Sequence, residues 1–180
     1  MKYSTTTVQT SYASPLGRII LAASDGKLLG AWFDGQSHQP DTSGWPEVGD
    51  AAIFDLARTQ INDYFAGRRQ SFDLPLDLSG GTGFQQSVWR ALLNIPRGST
   101  CSYGDISVAI GKPAALYGRA VGGAIGRNPL SIIVPCHRVL GTKGALTGYA
   151  GGVERKRALL LLEGAAFAPS THAGLTQGTL

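Results

Sequence analysis

The chain has 180 residues, 43% hydrophobic and 16% charged, which is enough apolar content for a buried core and excludes a chain disordered by composition. Its net charge of +4 is split: residues 1–80 carry 6 Lys/Arg against 9 Asp/Glu, and residues 81–180 carry 10 against 3. An acidic half joined to a basic half suits a protein that presents only one half to a polyanion, although a basic face kept for solubility would give the same count.

Residues 1–17 lack the apolar stretch of an export signal, and the longest strongly apolar run is only residues 158–162. Neither export nor membrane spanning is expected, and a cytoplasmic location follows. Residues 18–24 and 27–33 are apolar segments separated by Asp25-Gly26, a hairpin signal. Residues 38–46, rich in Pro, Gly, Ser and Asp, read as loop. Ile53, Leu56, Ala57, Ile61 and Tyr64 recur at helical spacing, and Gly67 supplies a left-handed stop. Phe72, Leu74, Leu76 and Leu78 then alternate, which predicts a strand. Residues 1–80 therefore read as a small α/β domain, an antiparallel sheet plus a helix, with no visible chemistry.

Ser79-Gly80-Gly81-Thr82-Gly83 marks the boundary to a second domain over residues 81–165. Phe84, Val88 and Leu92 share one face of a first helix. Ser102 with Asp105 three residues on is a capping box for a second, which Gly111 closes. Pro113 suits the first turn of a third. Helix, short Gly-Lys-Pro turn and helix make a helix-turn-helix outline. Gly118, Gly122, Gly123 and Gly126 in the third helix cost about 1 kcal/mol each against alanine. Such a run makes sense where another backbone comes close, either a packed helix or DNA, and the basic balance favours DNA. Residues 166–180 are mostly small and polar, and a disordered tail is expected there.

The most informative stretch is Leu130-Ser131-Ile132-Ile133-Val134 followed by Pro135-Cys136-His137-Arg138-Val139. The short, β-branched run predicts a buried strand or tight extended segment, and Pro135 ends the pairing because it has no N–H. Cys136 thus leaves a hydrophobic wall at a bend, beside a base (His137) and a cation (Arg138). A thiol attacks as thiolate, and nearby cations favour that form. Free cysteines are most often small buried hydrophobes, but this context reverses the odds. Cys101 has no flanking base or proline bend and reads as a spectator. Neither cysteine belongs to a C-x-x-C or Cys/His cluster, so no metal site is expected.

Pro135-Cys136-His137-Arg138-Val139, with Arg127-Asn128-Pro129 before it and Gly148-Tyr149-Ala150-Gly151-Gly152 after it, strongly resembles the O6-alkylguanine-DNA alkyltransferases. The resemblance runs from Phe84 to Gly164 through Phe84-Gln85-Gln86-Ser87-Val88-Trp89, Ile95-Pro96-Arg97-Gly98, Ser102-Tyr103, Arg119-Ala120-Val121-Gly122 and Leu161-Leu162-Glu163-Gly164. Ahead of it the match is loose, through Ser14-Pro15-Leu16-Gly17 and Tyr64-Phe65-Ala66-Gly67. It implies an α+β fold: the N-terminal α/β domain, then a mainly helical, winged helix-turn-helix-like domain that binds DNA and accepts the alkyl group.

By this resemblance the partner is double-stranded DNA containing O6-alkylguanine, with O4-alkylthymine as a further substrate. No cofactor is needed, and the protein acts once, as a monomer. Cys136 would take the alkyl group from an extruded nucleotide, His137 would act through a water as its base, and Glu163 would orient His137. Asn128 would be the hinge between the recognition helix and the cysteine segment. Arg119 would be the finger that fills the vacated stack, and Tyr103 would rotate the phosphate and protonate the leaving guanine. Ala120, Gly122, Ile125 and Arg127 would complete the DNA contacts. The carbonyls of Cys136 and Val139 and the Ala150 N–H would read the guanine, in a pocket shared with Tyr103, Pro135 and Tyr149. Arg138 reads as structural or phosphate-facing. One departure stands out: Pro113 to Arg119 is about two residues longer than the family pattern.

Two other readings carry less. A DNA-binding module that recognises the lesion without reacting is at odds with the presence of Cys136. A Cys/His hydrolase leaves the basic half unexplained, and neighbours in sequence rarely form a direct dyad.

Overall fold

Asp25 (φ 50°) and Gly26 (φ 72°) both take the left-handed conformation of a tight hairpin turn. Across it, β2 (Gly17–Ser24) and β3 (Lys27–Phe33) pair antiparallel, as their sequence predicts. The computed structural model describes residues 3–168. A third strand, β1 (Val8–Ser14), pairs antiparallel with β2 at the sheet edge. Its sequence gives little sign of it, because the position it buries is a threonine, Thr10. α1 (Ala52–Phe65) buries Phe54, Ala57, Ile61 and Tyr64, and Gly67 at φ 74° follows its end as expected.

The expected strand over residues 72–78 does not form. Leu76 alone bridges to Leu28, with Leu28 N–H donating to the Pro75 carbonyl and Asp77 N–H to the Leu28 carbonyl. Pro75 has no N–H with which to extend the ladder, so the alternation records burial without a strand.

In the second half, α2 (Gly83–Leu92) starts on a capping box between Thr82 and Gln85. α3 (Tyr103–Ala109) starts on the expected box between Ser102 and Asp105. Gly111 (φ 70°) turns the chain into α4 (Ala114–Gly126), whose N-cap is Pro113. The three helices pack together, and the buried Trp89 indole N–H donates to the Ala124 carbonyl at 2.8 Å. The glycines of α4 are not explained by a packed helix. A Cβ at Gly118 or Gly126 would meet nothing within 4 Å, and one at Gly122 would touch only the Tyr103 ring, at 3.7 Å. That face of α4 is open.

Residues 130–134 form neither the strand nor the tight extended segment expected of them. Leu130 makes a single parallel bridge to Ala31, and Val134 N–H then donates to the Leu130 carbonyl across a turn containing Ile132 at φ 72°. A β-branched residue in that region is strained and persists only where its surroundings fix it. The turn delivers Cys136–Arg138 as one 3-10 turn, followed by β5 (Val139–Leu140) parallel to β4 (Cys101–Ser102). α5 (Val153–Glu163) ends at Gly164 in the left-handed conformation.

One continuous core joins both halves: Leu21 and Phe33 of the sheet, Tyr64 of α1, Trp89 of α2, Val121 of α4 and Val134 of the cysteine segment belong to it. Ala168 N–H is held by the Gly144 carbonyl at 2.9 Å. Most of the tail expected to be disordered, residues 169–180, lies outside the described residues.

Candidate active site

Pro135 and the 3-10 turn place Cys136 below a cavity of about 310 Å3. Tyr103, Gly122 and Ile125 line it from α3 and α4, Tyr149 and Ala150 from the loop before α5, and Ser37 and His38 from the loop after β3. Cys136 is only 4% exposed. Asn128, at the end of α4, is buried beside it. Its amide nitrogen donates to Cys136 Sγ (3.0 Å) and to the Val134 carbonyl (2.8 Å), and its amide oxygen accepts from Leu130 N–H (3.0 Å). The helix end and the cysteine segment are thereby tied through one side chain.

Behind Cys136 lies a buried ionic cluster centred on Glu163. Its Oε1 accepts from Tyr64 hydroxyl (2.7 Å), Arg138 (2.8 Å) and His137 Nε2 (2.9 Å), and its Oε2 from Arg138 Nε (2.9 Å). Arg138 also donates to the Ile95 carbonyl. Burial pushes the Glu163 carboxyl up, but the hydrogen bonds from His137 and Arg138 and the Arg138 charge outweigh it and hold the group well below the usual carboxylate range. Burial lowers the His137 pKa, helped by Arg138 and Lys156 and opposed by Glu163.

A neutral His137 must donate through Nε2 to an ionised carboxylate, so Nδ1 keeps its lone pair. Nδ1 is buried and has no hydrogen-bond partner. A neutral imidazole with a free acceptor, oriented by a carboxylate, is what a general base requires.

The thiol itself differs from the expectation that nearby cations would favour thiolate. Burial raises the Cys136 pKa, and this outweighs the Asn128 hydrogen bond and the Lys156 charge, which lower it. The resting group is a protonated thiol, so its proton has to be removed when it reacts. Cys101 is also raised, to about 11, by burial and by Asp105, which suits a spectator.

Of the residues singled out in the sequence, Cys136, His137, Glu163 and Asn128 form one contiguous cluster. Tyr103, Gly122, Ile125, Tyr149 and Ala150 line the cavity over it. The Tyr103 hydroxyl bonds Thr147 at 2.8 Å, and the Tyr149 hydroxyl is buried near Ser131 without closing a hydrogen bond. Pro135 and Val139 do not line this cavity. Pro135 faces a separate one beside Ile95, and Val139 is fully buried in the β4–β5 pair. Arg119 and Ala120 are exposed on α4, and Arg119 lines an open groove that Tyr103 and Gly122 share with the cavity. Arg127 is exposed and donates to the Gly123 carbonyl in the last turn of its own helix. Arg138 is structural, bound to Glu163 and buried. α4 runs unbroken through residues 114–119, the stretch that the resemblance implies to be about two residues longer than the family pattern.

Sequence reasoning missed three contributors. Tyr64 comes from the domain in which no chemistry was visible, although a phenol on a buried stripe needs a hydrogen-bond partner. The loop carrying Ser37 and His38 gave no signal. Lys156 is 1% exposed, donates to the Val139 carbonyl at 2.6 Å, and is brought down to about 8 by burial, partly offset by Cys136. Lys156, Leu159, Leu160 and Glu163 fall at i, i+3, i+4 and i+7, so helical spacing alone puts both charges on the buried face.

Comparison with known proteins agrees with this geometry. Residues 83–165 match the 6-O-methylguanine DNA methyltransferase DNA binding domain, and residues 7–78 the ribonuclease-like domain of the same proteins. The methylated-DNA–protein-cysteine methyltransferase of Mycobacterium tuberculosis (strain ATCC 25618 / H37Rv) is 51% identical over 150 residues, 83% of this chain and 88% of the relative. The crystal structure of Mycobacterium tuberculosis O6-methylguanine methyltransferase superposes with a TM-score of 0.79 at 48% identity, covering 91% of this chain and 96% of that one. The Mycobacterium tuberculosis OGT in complex with DNA gives the same TM-score and identity over 87% and 92%. The chain, with its Pro135-Cys136-His137-Arg138 turn under an open helix, belongs to the methylated-DNA–protein-cysteine methyltransferase family.

Proposed function

We propose that this protein repairs DNA by moving the alkyl group of O6-alkylguanine, and of O4-alkylthymine, onto its own Cys136. The carrying observation is the buried Cys136 thiol, hydrogen-bonded by Asn128 and adjacent to a neutral His137 whose Nδ1 is free. The base lies inside the duplex, so the nucleotide has to be extruded into the cavity over Cys136. The open face of α4 suits close approach of DNA, with Arg119 filling the vacated stack.

In the reaction the thiol proton passes to His137 through a water. Sulfur attacks the alkyl carbon in line, an S–C bond forms, the C–O bond breaks, and its electron pair leaves with guanine. Tyr103 returns a proton to the leaving base. The thioether that remains is a poor leaving group, so each molecule acts once, without a cofactor. A reducing cytoplasm keeps the thiol available, and a monomer suffices. The test is incubation with O6-methylguanine DNA followed by peptide mass analysis. One added methylene on the peptide containing Cys136 is expected; a label elsewhere, or none, overturns the reading.

A further inference from the structure

The cavity over Cys136 is not built by the alkyl-acceptor domain alone, since Ser37 and His38 of the N-terminal domain complete its lining. Their loop is fastened to the other domain at two points. Ser37 N–H donates to the Ala150 carbonyl at 3.0 Å, and the buried Gln36 accepts from the Ser131 hydroxyl at 2.9 Å. Within the loop, Gln36 also accepts from Phe33 N–H at 2.9 Å, and Gln39 from Gly35 N–H at 2.7 Å. His38 sits at φ 63°, in the left-handed region that His, Asn and Asp enter more readily than other side-chain-bearing residues. The hydrogen bonds of Gln36, Ser37 and Gln39 on either side leave its backbone little freedom to retreat from the mouth.

The rest of the lining sharpens the point. Gly122, Gly126 and Gly148 bring no side chain, Tyr103 is held by Thr147, and Ile125 is buried. The His38 imidazole is exposed and makes no hydrogen bond to any described residue. Tyr149 also lines the cavity, but its hydroxyl is buried, so the His38 imidazole is the exposed large side chain of the rim.

We propose that His38 is a specificity-determining residue, its ring limiting the size of the O6 substituent that can reach Cys136. The proposal rests on the alkyltransferase reading above. The held backbone keeps the ring at the mouth, where a larger O6 substituent has to displace it to reach the thiol. The experiment compares transfer rates from O6-benzylguanine and O6-methylguanine in His38→Asn and His38→Gly. Both replacements tolerate the left-handed conformation, so the loop keeps its course. The ratio of the two rates on one preparation cancels any loss of folded protein.

The benzyl-to-methyl ratio is expected to rise by about tenfold in His38→Gly, the scale of discrimination that a small change in pocket volume gives, with His38→Asn between it and the unaltered chain. A ratio unchanged in both variants, while the unaltered chain transfers normally, overturns the proposal and leaves the alkyltransferase reading standing. No transfer by the unaltered chain overturns both.

Discussion

Tyr64 and Glu163, 99 positions apart in sequence, meet at 2.7 Å inside the protein, the phenol donating to the carboxylate that also holds His137. The N-terminal domain therefore reaches the base of the active site through a hydrogen bond. Tyr64→Phe removes that donor from a buried charge while keeping the ring. Urea unfolding is expected to show a loss of about 1.5–3 kcal/mol, the range for a hydrogen bond to a charged group. Glu163→Ala leaves Arg138 uncompensated and should cost more, about 3–5 kcal/mol. Equal stability of Tyr64→Phe and the unaltered chain would show the contact to be energetically idle.

Acid should weaken the fold in two stages. The folded pKa of His137 lies below its ordinary 6.5, so between the two values the unfolded chain binds the extra proton and the folded chain does not. Its contribution is present above 6.5 and is lost as pH falls below it. Glu163 is likewise depressed, from 4.5, and its contribution goes as pH falls through the region below that. Thermal midpoints are expected to fall from pH 7 to pH 5 and to fall further towards pH 3. In His137→Phe, where no imidazole titrates, the first stage should flatten; an equally steep fall would assign it to another group.

DNA binding should be insensitive to sequence and weaken with salt, because the contacts of a basic half are to phosphates. Arg119→Ala should bind slightly less tightly and retain the reactivity of Cys136 with free O6-benzylguanine. Repair in duplex DNA should slow, since extrusion costs a few kcal/mol that the finger partly offsets. Duplex repair at the unaltered rate would remove Arg119 from that role.

Cys136→Ser should abolish transfer, because a hydroxyl is far harder to ionise than a thiol, and DNA binding should remain. Cys101→Ser should change little, since that thiol is held protonated to about pH 11. Transfer that survives Cys136→Ser, or a label on the peptide containing Cys101, would contradict the assignment.

The helices and the cysteine motif of the second half of the chain were legible because their signals are local. Ser102 and Asp105 are three residues apart, Gly111 and Pro113 bracket a turn, and Cys136, His137 and Arg138 are consecutive. The first half misled where a local pattern had a non-local cause. Phe72 to Leu78 alternate because they lie along the body of the protein, and Pro75 prevents the ladder that alternation suggests. β1 was silent because its buried side chain is polar. Tyr64, Gln36 and His38 gained meaning only when folding carried them to residues about a hundred positions away, which no periodicity encodes.

The core shared between residues 19 and 159 carries a final consequence. With Tyr64 on Glu163, Gln36 on Ser131 and Arg97 bridging the Arg69 and Leu162 carbonyls, the boundary near residue 80 divides the sequence and not the packed core. Melting should be a single all-or-none event in which tryptophan emission and alkyl transfer disappear at the same temperature. Residues 81–165 expressed alone would expose the half of that core which the sheet and α1 normally cover, and should associate or remain unfolded rather than survive as a working fragment.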